Sequence, residues 1–447
     1  MKLIEADKRL SQSLLWKIQR SYFESAGMRA WQDDIVPHTI SCNPFMARAY
    51  ANLIQGYLRD MTAQIDPAEP LYIVELGAGS GRLTHHLIHQ LQPLLNNAFN
   101  LKFVLTDFTD SVIEHWRSHP QLMLLAEEGL LDFALFDVMN MRPLELLHSG
   151  RTLSPQSNNN PVILLANYFF DSIPQDSFVI ENGELHSNLL SLYAGSDEEF
   201  VITNPNLWDS LSLAYEPLPS DGTPYETELY NQILADYEQL PDTSLSFPNI
   251  GLDCLQFWMT YGDVLLLTAD RGTSHAEALI GQEDPLPNLH GSFSMMVNYH
   301  AMSEFVERSG GRVFVPPHYQ DNVQTLAYVM QKEDRAWHAT QQAFEQSILQ
   351  NNPDDFFSLR YYLLKQIPEM TIDQFMSLMR WSAYDGDILR LGLDRLVELV
   401  ASEPAWADDV ADMLWRVKRQ YLVIRPDDDL INRIDNLLME DFGSLFD

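Results

Sequence analysis

Residues 73–83 read IVELGAGSGRL and place an acid before three glycines at alternate positions. An apolar run precedes them and a helix-like segment follows, as in a turn from a strand to a helix. Glycines let a ligand approach the backbone closely, and the helix N-terminus adds amide donors. A dinucleotide site would need GxGxxG, but the third glycine comes one residue early and Arg82 takes its place. The candidate binding residues of this turn are Glu75, Gly77, Ala78, Gly79 and Gly81.

Two further acids end the strand-like segments that follow: Asp107 closes LKFVLTD and Asp137 closes DFALFD. The pattern acid-x-GxGxG resembles the first motif of class I methyltransferases, which bind S-adenosyl-L-methionine. This resemblance implies that Asp107 binds the ribose diol of the cofactor and that Asp137 lies near its adenine. The glycine spacing disfavours the alternative of a nucleotide-sugar or NAD enzyme.

A fourth strand-like segment, at 161–167, leads into the stretch LLANYFFDSIPQDSF. This stretch resembles ANEFFDALPVHQF in the MidA family of class I methyltransferases, which includes a mitochondrial factor for assembly of respiratory complex I. Similar stretches are PHTISCNPFMARAYANLI, DVLLLTADRG and HGSFSMMVNYHAMSEFVERSGG. The resemblance implies methylation of a protein arginine, with Asn167 near both cofactor and substrate and with Tyr168 and Asp171 as further catalytic candidates.

Tyr168 stands where the family has glutamate. A carboxylate there could orient a guanidinium, whereas tyrosine has an ordinary pKa of about 10 and is uncharged at neutral pH. Asp171 could align an amine or guanidinium, or it could cap the following turn. Three functions therefore stay open: a protein methyltransferase, a small-molecule methyltransferase, and a cofactor-binding assembly factor without turnover.

Strands and helices alternate around these residues. Continuous apolar runs, typical of parallel strands buried on both faces, occur at 71–76, 101–107, 132–137, 161–167 and 263–270. The pattern predicts an α/β fold with a doubly wound, Rossmann-like sheet. Residues from 181 to 260 are less regular and are predicted to form an inserted lid or side wall.

Three domains are predicted. Residues 1–70 form an N-terminal helical segment with helices over 4–23 and 44–61, residues 71–334 form the methyltransferase domain, and residues 335–447 form a helical domain. Paired helices in the last domain suggest tetratricopeptide-like repeats. We expect this domain to bind a protein partner.

The formal net charge is −35. Such a charge disfavours nucleic acid, whose nonspecific binding depends on lysine and arginine. Between Arg151 and Arg271 the sequence has no lysine or arginine, which predicts a basic protein or peptide substrate; the alternative is a surface that only maintains solubility. With two cysteines, no apolar signal core and no run long enough to span a bilayer, we expect a cytoplasmic protein without membrane contact.

Three histidines, in THHLIHQL, place His85 and His89 at a spacing that could hold a metal. No acid accompanies them in the arrangement of zinc proteases. A packing role is therefore favoured, and no metal is predicted.

Overall fold

The computed structural model describes residues 1–33, 35–36, 39–95, 98–195, 201–202, 207–219, 222–318, 322–331 and 335–439. They divide into two compact units. The first comprises Met1–Pro37, Gln64–Gly79 and Asn100–Ala336, and the second comprises His38–Ala63, Ser80–Phe99 and Trp337–Asp447. The domain boundaries given above stay a prediction.

Eighteen strands lie in the described part of the first unit. In chain order they are β1 (Lys2–Lys8), β2 (Leu71–Glu75), β3 (Leu101–Asp107), β4 (Leu131–Leu135), β5 (Leu144–Glu145), β6 (Thr152–Leu153), β7 (Val162–Asn167), β8 (Asp176–Glu181), β9 (Glu184–Ala194), β10 (Ser212–Pro219), β11 (Thr243–Phe247), β12 (Val264–Asp270), β13 (Gly272–Thr273), β14 (Asn288–Leu289), β15 (Phe293–Ser294), β16 (Val297–Asn298), β17 (Arg312–Phe314) and β18 (Gln324–Met330).

The helices of this unit are α1 (Leu14–Ala26), α2 (Arg29–Gln32), α5 (Asp110–Ser118), α6 (Pro120–Glu127), α7 (Leu207–Ser210), α8 (Glu228–Tyr237), α9 (Asn249–Met259) and α10 (Tyr299–Arg308). The second unit contains α3 (Pro44–Asp60), α4 (Arg82–Leu95), α11 (His338–Phe344), α12 (Pro353–Gln366), α13 (Ile372–Trp381), α14 (Gly386–Ser402), α15 (Ala407–Gln420) and α16 (Leu430–Met439). No helix of the described ranges is long and apolar enough to cross a membrane.

A seven-stranded sheet forms the core of the first unit, in the order β17-β18-β12-β7-β2-β3-β4. The strands from β12 to β4 are parallel, while β18 runs antiparallel to β12. Every residue of β2, β7 and β12 is buried, which explains their continuous apolar sequences. The fold is therefore the predicted class I methyltransferase fold. Chain order reverses beside β2, where ligands of such sheets bind at the carboxyl ends of the strands.

A second sheet occupies much of the region that was predicted to be less regular. β8 and β9 form a hairpin whose turn residues, Asn182 and Gly183, both have positive φ, as a two-residue turn of this kind requires. β11 pairs with β8, and β10 pairs with β9. The less regular structure expected here is therefore wrong for the stretches that form these strands, whereas an inserted lid or side wall stays a prediction.

The predicted helix over residues 4–23 is also wrong in its first half. Residues of β1 pair antiparallel with β9 instead, and α1 begins only after Ser13, whose hydroxyl accepts a hydrogen bond from the Leu15 amide. The Glu5 carboxylate accepts hydrogen bonds from Ser13 and Leu14 and so links strand and helix. The open edge of β9 supplies hydrogen-bond partners for the backbone of this segment. Because β9 is so distant in sequence, no local pattern predicts this pairing.

Helices make up the second unit, and the predicted helical character of its C-terminal part is confirmed. Asn43 caps the N-terminus of α3. A Cβ on Gly56 of α3 would lie 2.6 Å from the Ala339 carbonyl oxygen, so glycine at this position permits the close approach of α3 and α11. The Asp60 carboxylate accepts hydrogen bonds from the amides of Ala339 and Thr340 at the start of α11. Tetratricopeptide-like repeats stay a prediction.

Candidate active site

The glycine turn begins where β2 ends. Glu75 is buried as the last residue of β2, and the Ala78 amide donates to the Thr106 carbonyl of β3 at 2.8 Å. Gly77 and Gly79 have φ of 62° and 51°, a region that disfavours residues with a Cβ. The turn is therefore anchored to β3 in a conformation that requires both glycines.

Asp107 closes β3 beside this turn. Its carboxylate accepts hydrogen bonds from the Thr109 amide at 2.9 Å and from the backbone of Gly79. Burial raises the pKa of Asp107 to about 6, although hydrogen bonds from Thr109, Gly79 and Phe108 oppose that rise. Asp107 is consequently ionised at neutral pH and is held against the glycine turn.

Aromatic rings from the N-terminal segment lie over the same turn. A Cβ on Gly79 would be 2.6 Å from the Trp31 ring, and Trp31 stacks on Phe23 with 6.0 Å between centroids. In addition, the indole nitrogen of Trp116 donates a hydrogen bond to the Gly79 carbonyl oxygen at 2.8 Å. Gly79 is thus enclosed by two indole rings.

Asp137 follows β4 and caps a short turn by accepting a hydrogen bond from the Met139 amide. The guanidinium of Arg20 on α1 donates to both of its carboxylate oxygens, at 3.0 and 2.9 Å. Arg20 also stacks over the Phe108 ring at 4.5 Å. The role of Asp137 beside adenine stays a prediction, and the structure adds that its carboxylate is already part of an ion pair.

The catalytic candidates lie at the end of β7, the fourth predicted strand, and in the turn that follows it. Asn167 is its last residue and is buried, next to Ala269 of β12. Tyr168 follows with φ of 52° and donates its amide to the Ala269 carbonyl at 3.1 Å. Phe169 then lies over Gly77, where a Cβ would be 3.2 Å from its ring. The turn after β7 therefore contacts the glycine turn after β2.

Asp171 lies in this turn, and its charge acts on Asp270, the buried last residue of β12. The Asp270 carboxylate accepts hydrogen bonds from the Phe170 amide at 3.0 Å and from the Tyr299 hydroxyl at 3.1 Å. Burial raises the pKa of Asp171 to about 7, against hydrogen bonds from Ser172 and Ser294 and the charge of Arg271. Burial raises the pKa of Asp270 well above its ordinary range, and the charge of Asp171 raises it further. At neutral pH the two acids therefore hold at least one proton.

Gly81, the last glycine of the motif, belongs to the second unit. Gly81 has φ of 74°. Its carbonyl oxygen accepts a hydrogen bond from the His85 amide at 3.1 Å, at the start of α4. Arg82, the next residue, forms an ion pair with Asp387 at 2.7 Å.

The three histidines of α4 are largely buried, and in the described ranges no group of three or more His, Cys, Asp or Glu residues is arranged to hold a metal. The ring of His85 stacks edge-on with that of His89 at 4.8 Å, and its Nδ1 is 3.1 Å from the Gln420 carbonyl. Burial lowers the pKa of His86 well below its ordinary value and that of His89 to about 4. Lowered pKa values keep His86 and His89 neutral at pH 7, in agreement with the favoured packing role.

Sequence reasoning did not place Arg20, Trp31 or Asp270 in the site. Asp270 carried a usable signal, since it ends an apolar strand as Asp107 does. Arg20 and Trp31 carried none, because they lie in helices that precede the glycine motif and reach it only through packing.

Comparison with known proteins gives the chain a family. A family model described as S-adenosyl-L-methionine-dependent methyltransferase matches residues 53–286, just over half of the chain. Among solved structures, a Burkholderia thailandensis methyl transferase bound to S-adenosyl-homocysteine is 12% identical, covering 70% of this chain and 74% of that one with a TM-score of 0.44. Another Burkholderia thailandensis protein is 12% identical, covering 70% and 73% with a TM-score of 0.42.

A curated relative matches a shorter stretch. The non-reducing polyketide synthase prhL of Penicillium brasilianum is 31% identical over 91 residues, which is 20% of this chain. This chain spans only 3% of the length of that synthase.

Proposed function

Since the family match covers just over half of its length, this chain belongs to the S-adenosyl-L-methionine-dependent methyltransferases, and we propose that it methylates arginine side chains of a protein. Two buried acids, Asp171 in the turn after β7 and Asp270 at the end of β12, are the observation that carries the choice of substrate. Carboxylates bind a guanidinium through charge-assisted hydrogen bonds, which are stronger than neutral ones.

S-adenosyl-L-methionine is the cofactor of this family, and when bound it supplies a methyl group on a sulfonium. The residues of the first unit fit it. Gly77 and Gly79 leave the backbone of the turn open to a ligand. Asp107, ionised above a pKa of about 6, is able to accept hydrogen bonds from the two ribose hydroxyls. Asp137 would lie toward the adenine and Asn167 toward the transferred methyl group.

Asp171 is suited to receive the proton that an arginine loses. As the nitrogen–carbon bond forms, the guanidinium nitrogen must give up one proton, and a base with a pKa near the working pH transfers protons most effectively. The pKa of Asp171 is about 7. Burial and the charge of Asp171 raise the pKa of Asp270, so the two neighbouring acids do not both ionise readily. This pair would take over the charge that a glutamate at the position of Tyr168 would carry.

The surrounding charge also favours a basic substrate. β7, β8, β9, β10, β11 and β12 all fall in the interval between Arg151 and Arg271 that has no lysine or arginine. Clefts of one charge sign raise the local concentration of oppositely charged molecules. A protein segment rich in arginine would be attracted to this part of the chain.

A methyl-transfer assay tests the proposal. The wild-type protein is incubated with radiolabelled S-adenosyl-L-methionine and cell lysate, and labelled proteins are hydrolysed to amino acids. We expect methylarginine, with Asp171→Asn lowering the rate by about a hundredfold and leaving cofactor affinity unchanged. Asp253→Asn is the matched control, because it removes a half-buried carboxylate that bonds Tyr230 outside the site.

Label found only in small molecules would contradict the proposal in favour of a small-molecule methyltransferase. The third candidate, a cofactor-binding assembly factor without turnover, is favoured by Tyr168. It would be supported by tight binding of the cofactor with no methyl transfer to any lysate fraction, and that outcome would also overturn the proposal.

A further inference from the structure

Three side chains of the first unit form a buried chain of hydrogen-bonding groups beside the catalytic candidates. Thr268 and Asp270 lie two positions apart on β12, so their side chains share one face of the sheet. Tyr299 is the first residue of α10. Its hydroxyl lies 2.7 Å from Oγ1 of Thr268 and 3.1 Å from Oδ2 of Asp270. All three residues are fully buried, so bulk water does not reach these contacts.

The chain ends at a backbone carbonyl, which fixes the direction of its hydrogen bonds. The hydroxyl of Thr268 donates to the carbonyl oxygen of Ala166 on β7 at 2.8 Å, and a hydroxyl has only one proton to donate. Thr268 therefore accepts at its contact with Tyr299. Tyr299 then gives its own proton to Thr268 and accepts at its contact with Asp270, so the proton of that last contact belongs to the Asp270 carboxyl.

A count of protons distinguishes the two forms of Asp270. With Asp270 protonated, three protons fill three contacts: Asp270 donates to Tyr299, Tyr299 to Thr268, and Thr268 to Ala166. With Asp270 ionised, Tyr299 donates to the carboxylate, and two protons remain for the same three contacts. One pair of buried oxygen atoms then faces each other without a proton between them. Because a buried acceptor without a hydrogen bond is costly, the chain favours the protonated form.

The surroundings of Asp270 also disfavour its charge. Oδ2 accepts a hydrogen bond from the Phe170 amide at 3.0 Å, whereas Oδ1 has no hydrogen-bond partner in the described ranges. Burial and then the charge of Asp171 raise the pKa of Asp270. The nearby cation, Arg271, acts on Asp171 and lowers the pKa of that acid. An ionised carboxylate with so few donors is poorly compensated for its loss of water.

Tyr299 is held firmly enough to keep this arrangement. A Cβ on Gly272 would lie 2.7 Å from the ring of Tyr299, so glycine makes room for the ring beside the end of β12. The carbonyl oxygen of Tyr299 accepts hydrogen bonds from the hydroxyls of Ser303 at 2.8 Å and Tyr328 at 3.3 Å. Both the ring and the backbone of Tyr299 are therefore fixed, and its hydroxyl stays between Thr268 and Asp270.

We infer that Tyr299 and Thr268 are positioning residues that hold a proton on Asp270 and so leave the negative charge of the two acids on Asp171. The inference rests on the proposed function. Two acids that share one proton carry one negative charge, which matches the single positive charge of a guanidinium. Oδ1 of the neutral Asp270 carboxyl can in addition accept a hydrogen bond from a guanidinium N–H.

Infrared spectroscopy of the full chain tests the inference without cofactor or substrate, because a protonated carboxyl has a carbonyl stretching band that disappears on ionisation. All variants carry Asp171→Asn, so that one acid of the interacting pair titrates alone. The band that is lost on adding Asp270→Asn belongs to Asp270. We expect Tyr299→Phe to lower the pH at which half of this band is lost by about one unit, a tenfold fall in proton affinity, since the protonated carboxyl loses its acceptor.

Thr268→Val gives a second, independent variant. It removes the acceptor of the Tyr299 proton, so Tyr299 can donate that proton to the ionised carboxylate, and the pH of half loss should again fall. Tyr328→Phe is the matched control, since it removes the hydroxyl of another fully buried tyrosine, which contacts Ser303 and the Tyr299 carbonyl. Its titration should match that of the parent protein.

The sign of the shift decides the outcome. If Tyr299 served only to donate to an ionised Asp270, its loss would raise the pH of half loss. A raised or unchanged value in Tyr299→Phe and Thr268→Val, or an equal fall in Tyr328→Phe, would overturn the inference and leave the proposed function intact. The titration uses no substrate, so its result is independent of the methyl-transfer assay, in which the absence of methylarginine overturns the proposed function.

Discussion

The guanidinium of Arg20 donates one hydrogen bond to each carboxylate oxygen of Asp137, at 3.0 and 2.9 Å. The pair joins α1 to the turn after β4, next to a carboxyl end of the sheet where the cofactor is proposed to bind. Trp31, a few residues after α1, lies over Gly79. The N-terminal segment thus covers the candidate site with one ion pair and one indole ring.

Breaking this pair should loosen the cover. We expect Arg20→Met to increase the dissociation rate of S-adenosyl-homocysteine several-fold and to make Trp31 more accessible to acrylamide quenching, because α1 loses its polar attachment. Stopped-flow fluorescence measures both. Arg308→Met, which removes an exposed arginine paired with Asp236 and Glu304, should change neither, and the same rates in all three proteins would refute the cover.

Gly79 should be essential for cofactor binding. Gly79→Ala adds a Cβ at positive φ and against the Trp31 ring, and we expect calorimetry to show affinity reduced by tenfold or more. Gly150→Ala is the matched control, since Gly150 also has positive φ but nothing within 4 Å of an added Cβ. Both variants should lose about 1 kcal/mol of stability from backbone strain, and an equal loss of affinity in both would count against the glycine turn as the binding site.

Cofactor affinity should depend on pH through Asp107. Its pKa of about 6 is above the value of an exposed carboxyl, so Asp107 contributes stability at low pH that is lost as pH rises through 6. Binding has the opposite sign, because only the ionised form accepts both ribose hydroxyls. We expect affinity for S-adenosyl-homocysteine to fall below pH 6 by up to about tenfold per pH unit.

Asp107→Asn should bind S-adenosyl-homocysteine weakly, and its affinity should change little between pH 5 and pH 7. Asp171→Asn, which removes another buried acid with a raised pKa, should keep the wild-type dependence near pH 6. If Asp107→Asn kept that dependence instead, another group would be responsible.

Salt should weaken capture of the protein substrate more than it weakens cofactor binding. The screening length falls from about 10 Å at 0.1 M salt to about 3 Å at 1 M, so attraction by the acidic interval between Arg151 and Arg271 should fade. Neutralising Asp197, Glu198 and Glu199 together should slow association more than it speeds release; these three residues lie outside the described ranges. Unchanged association across the salt range would favour a role in solubility alone.

Short-range patterns determined much of the candidate site. The glycine turn, Asp107 and Asn167 follow apolar strands directly, and parallel strands of one sheet bring their carboxyl ends to one edge. Local sequence was therefore enough to predict the sheet, the cofactor and the neighbourhood of Asn167. The resemblance to the MidA family added the proposed substrate, which the sequence pattern alone did not supply.

Tertiary structure decided the rest, since the partners are far apart in sequence. Arg20 meets Asp137 across 117 positions, and Arg82 meets Asp387 across 305. Whether two such side chains meet depends on how whole elements pack. Helix and strand propensities, which reflect local sequence, do not predict that packing. The same reason explains β1: residues read as helix by their spacing became a strand because the edge of β9 was there to pair with them.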